Sequence, residues 1–173
     1  PALLLSAYTG VLLSCTSNPM WVRNPWLAPL FSAGAISTGA SAVSLALDCT
    51  SSEVDTPSHR ALAKVHTAAH VAEAATLAGY LKHAGAKAAP LTRGSMKRHL
   101  WFGIGALVAA EGLKWLPFRG AMRRRARIVA SLLGLASGFS LRWAMIYGGK
   151  EAATDPHAAR LASQPDGPPG GNN

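Results

Sequence analysis

Charge is scarce in this chain, and acid scarcest: eight Asp and Glu stand against seventeen Lys and Arg, and charged residues make up 14% of 173. A soluble domain carries about 25%, so a freely solvated globule is a poor reading. Cysteine is nearly absent as well. Cys15 and Cys49 share no CxxC spacing and no nearby ligand cluster, which argues against a disulfide framework or a metal module built on them. They read as small apolar residues in or at the ends of helices. Signatures of soluble catalysis are missing too: the sequence contains no P-loop, no nucleophile elbow, no HExxH and no Cys-rich iron–sulfur run.

Long apolar runs take their place. Five segments emerge, over residues 1–17, 26–47, 58–81, 99–116 and 128–147. A helix needs about 20 apolar residues to cross ~30 Å of hydrocarbon. The second segment meets that length without a single charge, and its Gly34, Ser37, Gly39 and Ser41 are the small residues that let membrane helices approach closely. Trp21, Trp26, Trp101, Trp115 and Trp143 fall near segment ends, as an interfacial aromatic belt requires. The expectation is an all-α integral membrane bundle of about five transmembrane helices over residues 1–148.

The connections are short. Asn18-Pro19 and Asn24-Pro25 break the helix between the first two segments. A Ser/Thr-rich acidic stretch covers 49–57, a basic one with Pro90 and Gly94 covers 85–96, and Pro117 to Arg127 reads as a tight basic turn. Residues 149–173 are hydrophilic and carry a Pro- and Gly-rich run, Pro165 to Gly171, so the tail is expected to be disordered or bound to a partner. The chain opens at Pro1 directly into Ala2-Leu3-Leu4-Leu5, which reads as the middle of a helix with upstream residues missing, and not as a signal peptide.

The net charge of +9 does not point to nucleic acid. Lys97-Arg98 and Arg123-Arg124-Arg125 sit at the ends of apolar runs, where membrane helices keep basic residues beside anionic headgroups. The basic residues divide evenly between the two sides of a five-span bundle, so the positive-inside rule leaves orientation open.

Ionisable groups at membrane depth are costly, about 2.5–3.5 kcal/mol each on insertion scales, and each asks for a reason. His66, His70 and Glu73 stand at i, i+4 and i+7, on one face of the third helix. They suit a proton relay or the wall of a quinone pocket; a polar stripe bonding neighbouring helices is the plainer reading. Histidines at i and i+4 also have ligand spacing, but one pair on one helix supplies too few donors, and no metal or haem site is assigned. Arg142 interrupts the last apolar run and either snorkels to the interface or pairs with Glu73 or Glu111. Glu111 and Lys114, at i and i+3, fit a simple surface pair. Tyr8, Thr9, Ser14, Thr16 and Asn18 give the first helix a polar face suited to backbone or interhelical hydrogen bonds.

The run Tyr8-Thr9-Gly10-Val11-Leu12-Leu13-Ser14, then Asn18-Pro19-Met20-Trp21-Val22-Arg23-Asn24-Pro25, Leu30-Phe31 and Ser37-Thr38-Gly39-Ala40 resembles the NrfD family, the membrane subunits of polysulphide-reductase-like complexes. Leu141-Arg142-Trp143, a Gly pair, and Ala152-Ala153-Thr154-Asp155-Pro156 are similar to the ends of those proteins. The resemblance is clearest over residues 6–48 and 136–156 and implies that the chain covers the C-terminal half of such a subunit.

What the resemblance implies is a subunit without a covalently bound cofactor, exchanging electrons between the quinone pool and an iron–sulfur partner docked on the membrane. A quinone would be its noncovalent ligand, with the clusters carried by the partner chain. Lipids and other membrane subunits of a hetero-oligomeric complex complete the expected partners, in a bacterial cytoplasmic membrane. No catalytic residue is assigned, and His66, His70, Glu73, Arg142 and Glu111 are the candidates for proton or quinone contacts. Two other readings fit the residues: a structural anchor whose polar groups only join helices, and a small transporter with Glu73 or His70 in its path.

Overall fold

The computed structural model describes residues 2–50, 57–156 and 160. Helix α1 spans Ala2–Ser14, α2 Leu27–Thr50 and α3 Pro57–Ala84. A 3₁₀ turn, Gly85–Ala88, and a single turn of helix, α4 (Ala89–Thr92), lead to α5 (Lys97–Trp115) and α6 (Gly120–Thr154). Among the described residues there is no strand.

Two helices, α2 and α6, are long and apolar enough to cross a membrane by length and composition. The remaining long helices fall short of that measure for visible reasons. Helix α3 carries the polar stripe, α5 begins Lys97-Arg98-His99, and α1 is 13 residues long. Helix α6 differs most from its expected segment. It starts at Gly120 and runs for 35 residues, so Arg123-Arg124-Arg125 and Arg127 lie within it and not in a turn. Arginine is a good helix former; the charges end the apolar run without ending the helix. At the other end α6 continues past Gly149 to Thr154. The tail expected to be disordered or partner-bound over 149–173 therefore begins as helix, and its residues 157–159 and 161–173, like 51–56 of the acidic connection, lie outside the described residues.

Helices α2, α3, α5 and α6 form a ring in which α3 packs on α2, α2 on α6 and α6 on α5, while α5 and α3 approach most loosely. Helix α1 lies outside, against α2. Small residues face inward on the two central helices: Gly34, Ser37, Ala40 and Ser41 on α2, and Ala130, Gly134, Ser137 and Gly138 on α6 are buried. That choice permits close backbone approach. At Gly138 an added methyl would run into Thr38 of α2, and at Gly134 into Ser41.

The surface is apolar where a soluble protein would be polar. Leu4, Leu5, Val71, Trp101, Val108, Trp115 and Phe139 are all at least 59% exposed, while Asp48, His66, His70 and Glu73 are at most 3% exposed. This inversion suits hydrocarbon outside and polar contacts within.

The loop between α1 and α2 is built by its asparagines. Asn18 and Asn24 each accept a backbone N–H two residues on, from Met20 and Trp26, a local turn bond typical of Asn. Asn18 Nδ2 also donates to the Gly149 carbonyl of α6 at 2.8 Å, and the buried Tyr80 hydroxyl of α3 donates to the Met20 carbonyl at 3.1 Å. These bonds fasten one end of the bundle. At the end of α1, Ser14 and, two residues past it, Thr16 return their hydroxyls to the backbone carbonyls of Val11 and Leu13.

Candidate functional site

Helix α3 carries His59, His66, His70 and Glu73 buried along one face. At 1.5 Å per residue they span about 21 Å of helix axis. Each meets ionisable or hydroxyl groups from another helix, so the stripe becomes a track through the middle of the ring.

Its centre is Glu111 of α5. That carboxylate accepts from Lys114 Nζ at 2.7 Å, from His70 Nδ1 at 3.1 Å and from the Thr67 hydroxyl. Of the three sequence candidates on α3, His70 is thereby joined directly to Glu111 on α5. Glu111 and Lys114 are not a plain surface pair: their side chains are only 20% and 21% exposed, and Lys114 also donates to His66 Nδ1.

That last bond fixes the tautomer of His66. With Nδ1 accepting from the ammonium, the ring proton sits on Nε2 and is donated to the Ser41 hydroxyl at 2.6 Å. Ser41 in turn donates to the Ser37 carbonyl at 2.9 Å. Lys114, His66, Ser41 and Ser37 thus form one directed chain of hydrogen bonds crossing from α5 through α3 to α2. The His66 and His70 rings meet edge-on with centroids 4.2 Å apart. His70 Nε2, on the ring face away from Glu111, is buried without a hydrogen-bond partner.

One turn further along α3, Glu73 meets Ser37, its hydrogen-bond partner, and Arg142 of α6, its opposite charge. Glu73 and Arg142 both line a small cavity of about 20 Å³ with Gly34. A Cβ at Gly34 would stand 2.9 Å from Glu73 Oε1 and 3.3 Å from Arg142 Nη2, so the absent side chain makes the room both groups use. Arg142 also reaches the Thr38 hydroxyl at 3.5 Å. Of the two acids considered for Arg142, Glu73 is the neighbour; Glu111 is occupied by Lys114 and His70.

Toward the other end of α3 the track opens into a cavity of about 150 Å³, lined by His59, His66, Lys114, Arg123 and Arg127 among apolar residues such as Leu62 and Phe118. Beside it lies a cluster that sequence reasoning missed. Asp48, in the last turn of α2 and 1% exposed, accepts from Arg127 Nη2 at 2.6 Å and Nε at 3.0 Å. His59 Nε2 stands 3.4 Å from the same carboxylate, and Arg124 Nε donates to the Asp48 carbonyl at 2.8 Å. A lone acid closing a charge-free helix was the available signal, as was His59 seven residues before His66. Lys114 was seen only as half of a surface pair. Both cysteines are free and exposed, Cys49 in the last turn of α2 and Cys15 just past α1.

Chemically, the track is a row of buried proton donors and acceptors, of which His70, Glu111, Lys114, His66 and Ser41 are in hydrogen-bond contact. No group on it is a nucleophile activated by a base. It suits proton holding and transfer better than bond-breaking on a substrate.

The family model described as "Polysulphide reductase, NrfD" matches residues 1–152 of the chain. Comparison with curated proteins and with solved structures returned no match.

Proposed function

The chain belongs to the polysulphide reductase NrfD family, the membrane subunits of quinone-linked redox complexes, and from that premise we propose that it passes electrons between the quinone pool and an iron–sulfur partner while the α3 track exchanges the accompanying protons. Quinone reduction takes up a proton with each electron, and a membrane interior offers no water to supply it. A protein that performs this chemistry inside a bilayer needs a line of titratable side chains. The observation carrying the reading is that line: His70, Glu111, Lys114 and His66, buried or half-buried and joined by hydrogen bonds and ring contact, with Glu73 buried one turn further along α3 and a cavity at the other end.

In this reading Glu73 and Arg142 stand at the inner end of the track, and the cavity beside His59 and Lys114 is where protons enter or leave. Five membrane crossings, a bacterial cytoplasmic membrane and an iron–sulfur chain docked at one surface belong to the same proposal. The test is purification of the native complex in mild detergent, followed by addition of quinol. Reduction of a co-purifying partner's clusters, with bound quinone extracted from the complex, supports the proposal. A chain that purifies alone and intact, without quinone or an iron–sulfur partner, overturns it in favour of a structural anchor.

A further inference from the structure

His66 and His70 lacked a third ligand in the sequence, and the fold supplies it. One ligand atom each from His66, His70 and Glu111 lie within 4.8 Å of one another, with both histidines buried and the carboxylate half-buried. We propose that these three side chains form a binding site for a borderline divalent transition-metal ion, Zn²⁺ above all, which enters in place of the Lys114 ammonium.

Three observations carry it. The donor set comes first: two imidazoles and one carboxylate suit zinc, whereas calcium and magnesium call for oxygen cages. The second is that this place already holds a cation. Lys114 Nζ bonds Glu111 Oε2 at 2.7 Å and also bonds His66 Nδ1, so the protein's own ammonium binds two of the three proposed ligands. The third is access. Lys114 and His66 both line the cavity of about 150 Å³, which gives an ion a way in and gives the displaced lysine somewhere to go.

The geometry asks for modest movement. Zinc bonds of about 2.0–2.1 Å in a tetrahedron place ligand atoms roughly 3.3 Å apart. The present separations close by at most about 1.5 Å, within the reach of side-chain rotation on two facing helices. A fourth position stays open for water from the cavity. His70 Nε2, buried without a hydrogen-bond partner, adds a second donor atom on that ring.

Binding would take His66 out of its bond with Lys114 and Glu111 out of its contact with the ammonium. Zinc would therefore interrupt the track at its middle. This consequence rests on the proton-transfer reading; the site itself does not.

The test uses the whole native complex, purified on a tag free of histidine, with Co²⁺ as a coloured substitute for zinc. The proposal expects one saturable Co²⁺ per chain, with the intense visible bands of a tetrahedral centre, bleached by added Zn²⁺. Glu111→Gln and His70→Ala should each weaken binding tenfold or more. Lys114→Met should tighten it by at least tenfold, because the competing cation is gone. That variant changes affinity in the opposite direction to any loss of folding. Absence of stoichiometric binding in both native and Lys114→Met complexes overturns the proposal. So does binding that ignores all three substitutions, which would place the metal on His59, His83, His99 or His157. Tetrahedral Co²⁺ binding, together with no quinol-driven reduction of partner clusters in the same complex stripped of metal, would leave the metal site standing and sink the redox reading.

Discussion

Replacing Glu111 with Gln removes the charge that holds the centre of the track while nearly preserving its shape. The carboxylate accepts three hydrogen bonds, from Lys114, His70 and Thr67. An amide oxygen can still accept some of them, but the Lys114 ammonium, 21% exposed, is left without its counter-charge. Breaking a buried ion pair by removing one partner costs about 3–5 kcal/mol. With both side chains about one-fifth exposed, the lower end, about 3 kcal/mol, is the appropriate figure. Lys114→Met in the same background removes the stranded charge and should restore about 1–2 kcal/mol of coupling. The assay is unfolding in mixed detergent micelles, read as the shift in midpoint for the wild type, both single variants and the double variant. A Glu111→Gln variant as stable as the wild type, or a double variant with purely additive losses, would refute the claim that Glu111 and Lys114 are coupled inside the bundle.

Two further consequences are open to simpler assays. Asp48→Ala strands Arg127 beside a fully buried position and should lower bundle stability by about 3 kcal/mol; a thermal-denaturation midpoint equal to the wild type's would show the cluster to be dispensable. Gly34→Ala places a methyl 2.9 Å from Glu73 Oε1, so quinol-linked turnover should fall severalfold while the complex still assembles. Undiminished turnover would mean that the Glu73 and Arg142 positions are not critical to it.

The parts of this architecture that were legible in the sequence are those set within a single helix. A charge-free run of sufficient length announced α2, and the 3.6-residue period put His66, His70 and Glu73 on one face before any neighbour was known. Helix α6 was harder to bound, because hydropathy marks where a helix stops being apolar and not where it stops. The arginines at 123–125 and 127 extend it as helix, with Arg127 turned toward Asp48.

What one sequence could not show is the rotation of one helix against another. Glu111 and Lys114 form the same i, i+3 pair whether α5 turns them toward lipid, water or α3, and their role depends wholly on that angle. The pairing of Asp48 with Arg127 spans 79 positions and depends on α2 and α6 running side by side. The family resemblance read from residues 6–48 and 136–156 agrees with the family match across residues 1–152. The roles of the individual side chains rest on the geometry described above.

The central claim is that protons accompanying quinone chemistry pass through the α3 track, and Glu73 tests it most directly. Glu73→Gln keeps the side chain's length and its capacity to accept from Ser37 and Arg142 but cannot take up and release a proton. In the purified complex, the rate at which quinol reduces the partner's clusters should fall by roughly 10²-fold, the scale on which a positioned acid–base group contributes, with every subunit still present. A rate equal to the wild type's in an intact complex would contradict the account and reduce the track to interhelical packing.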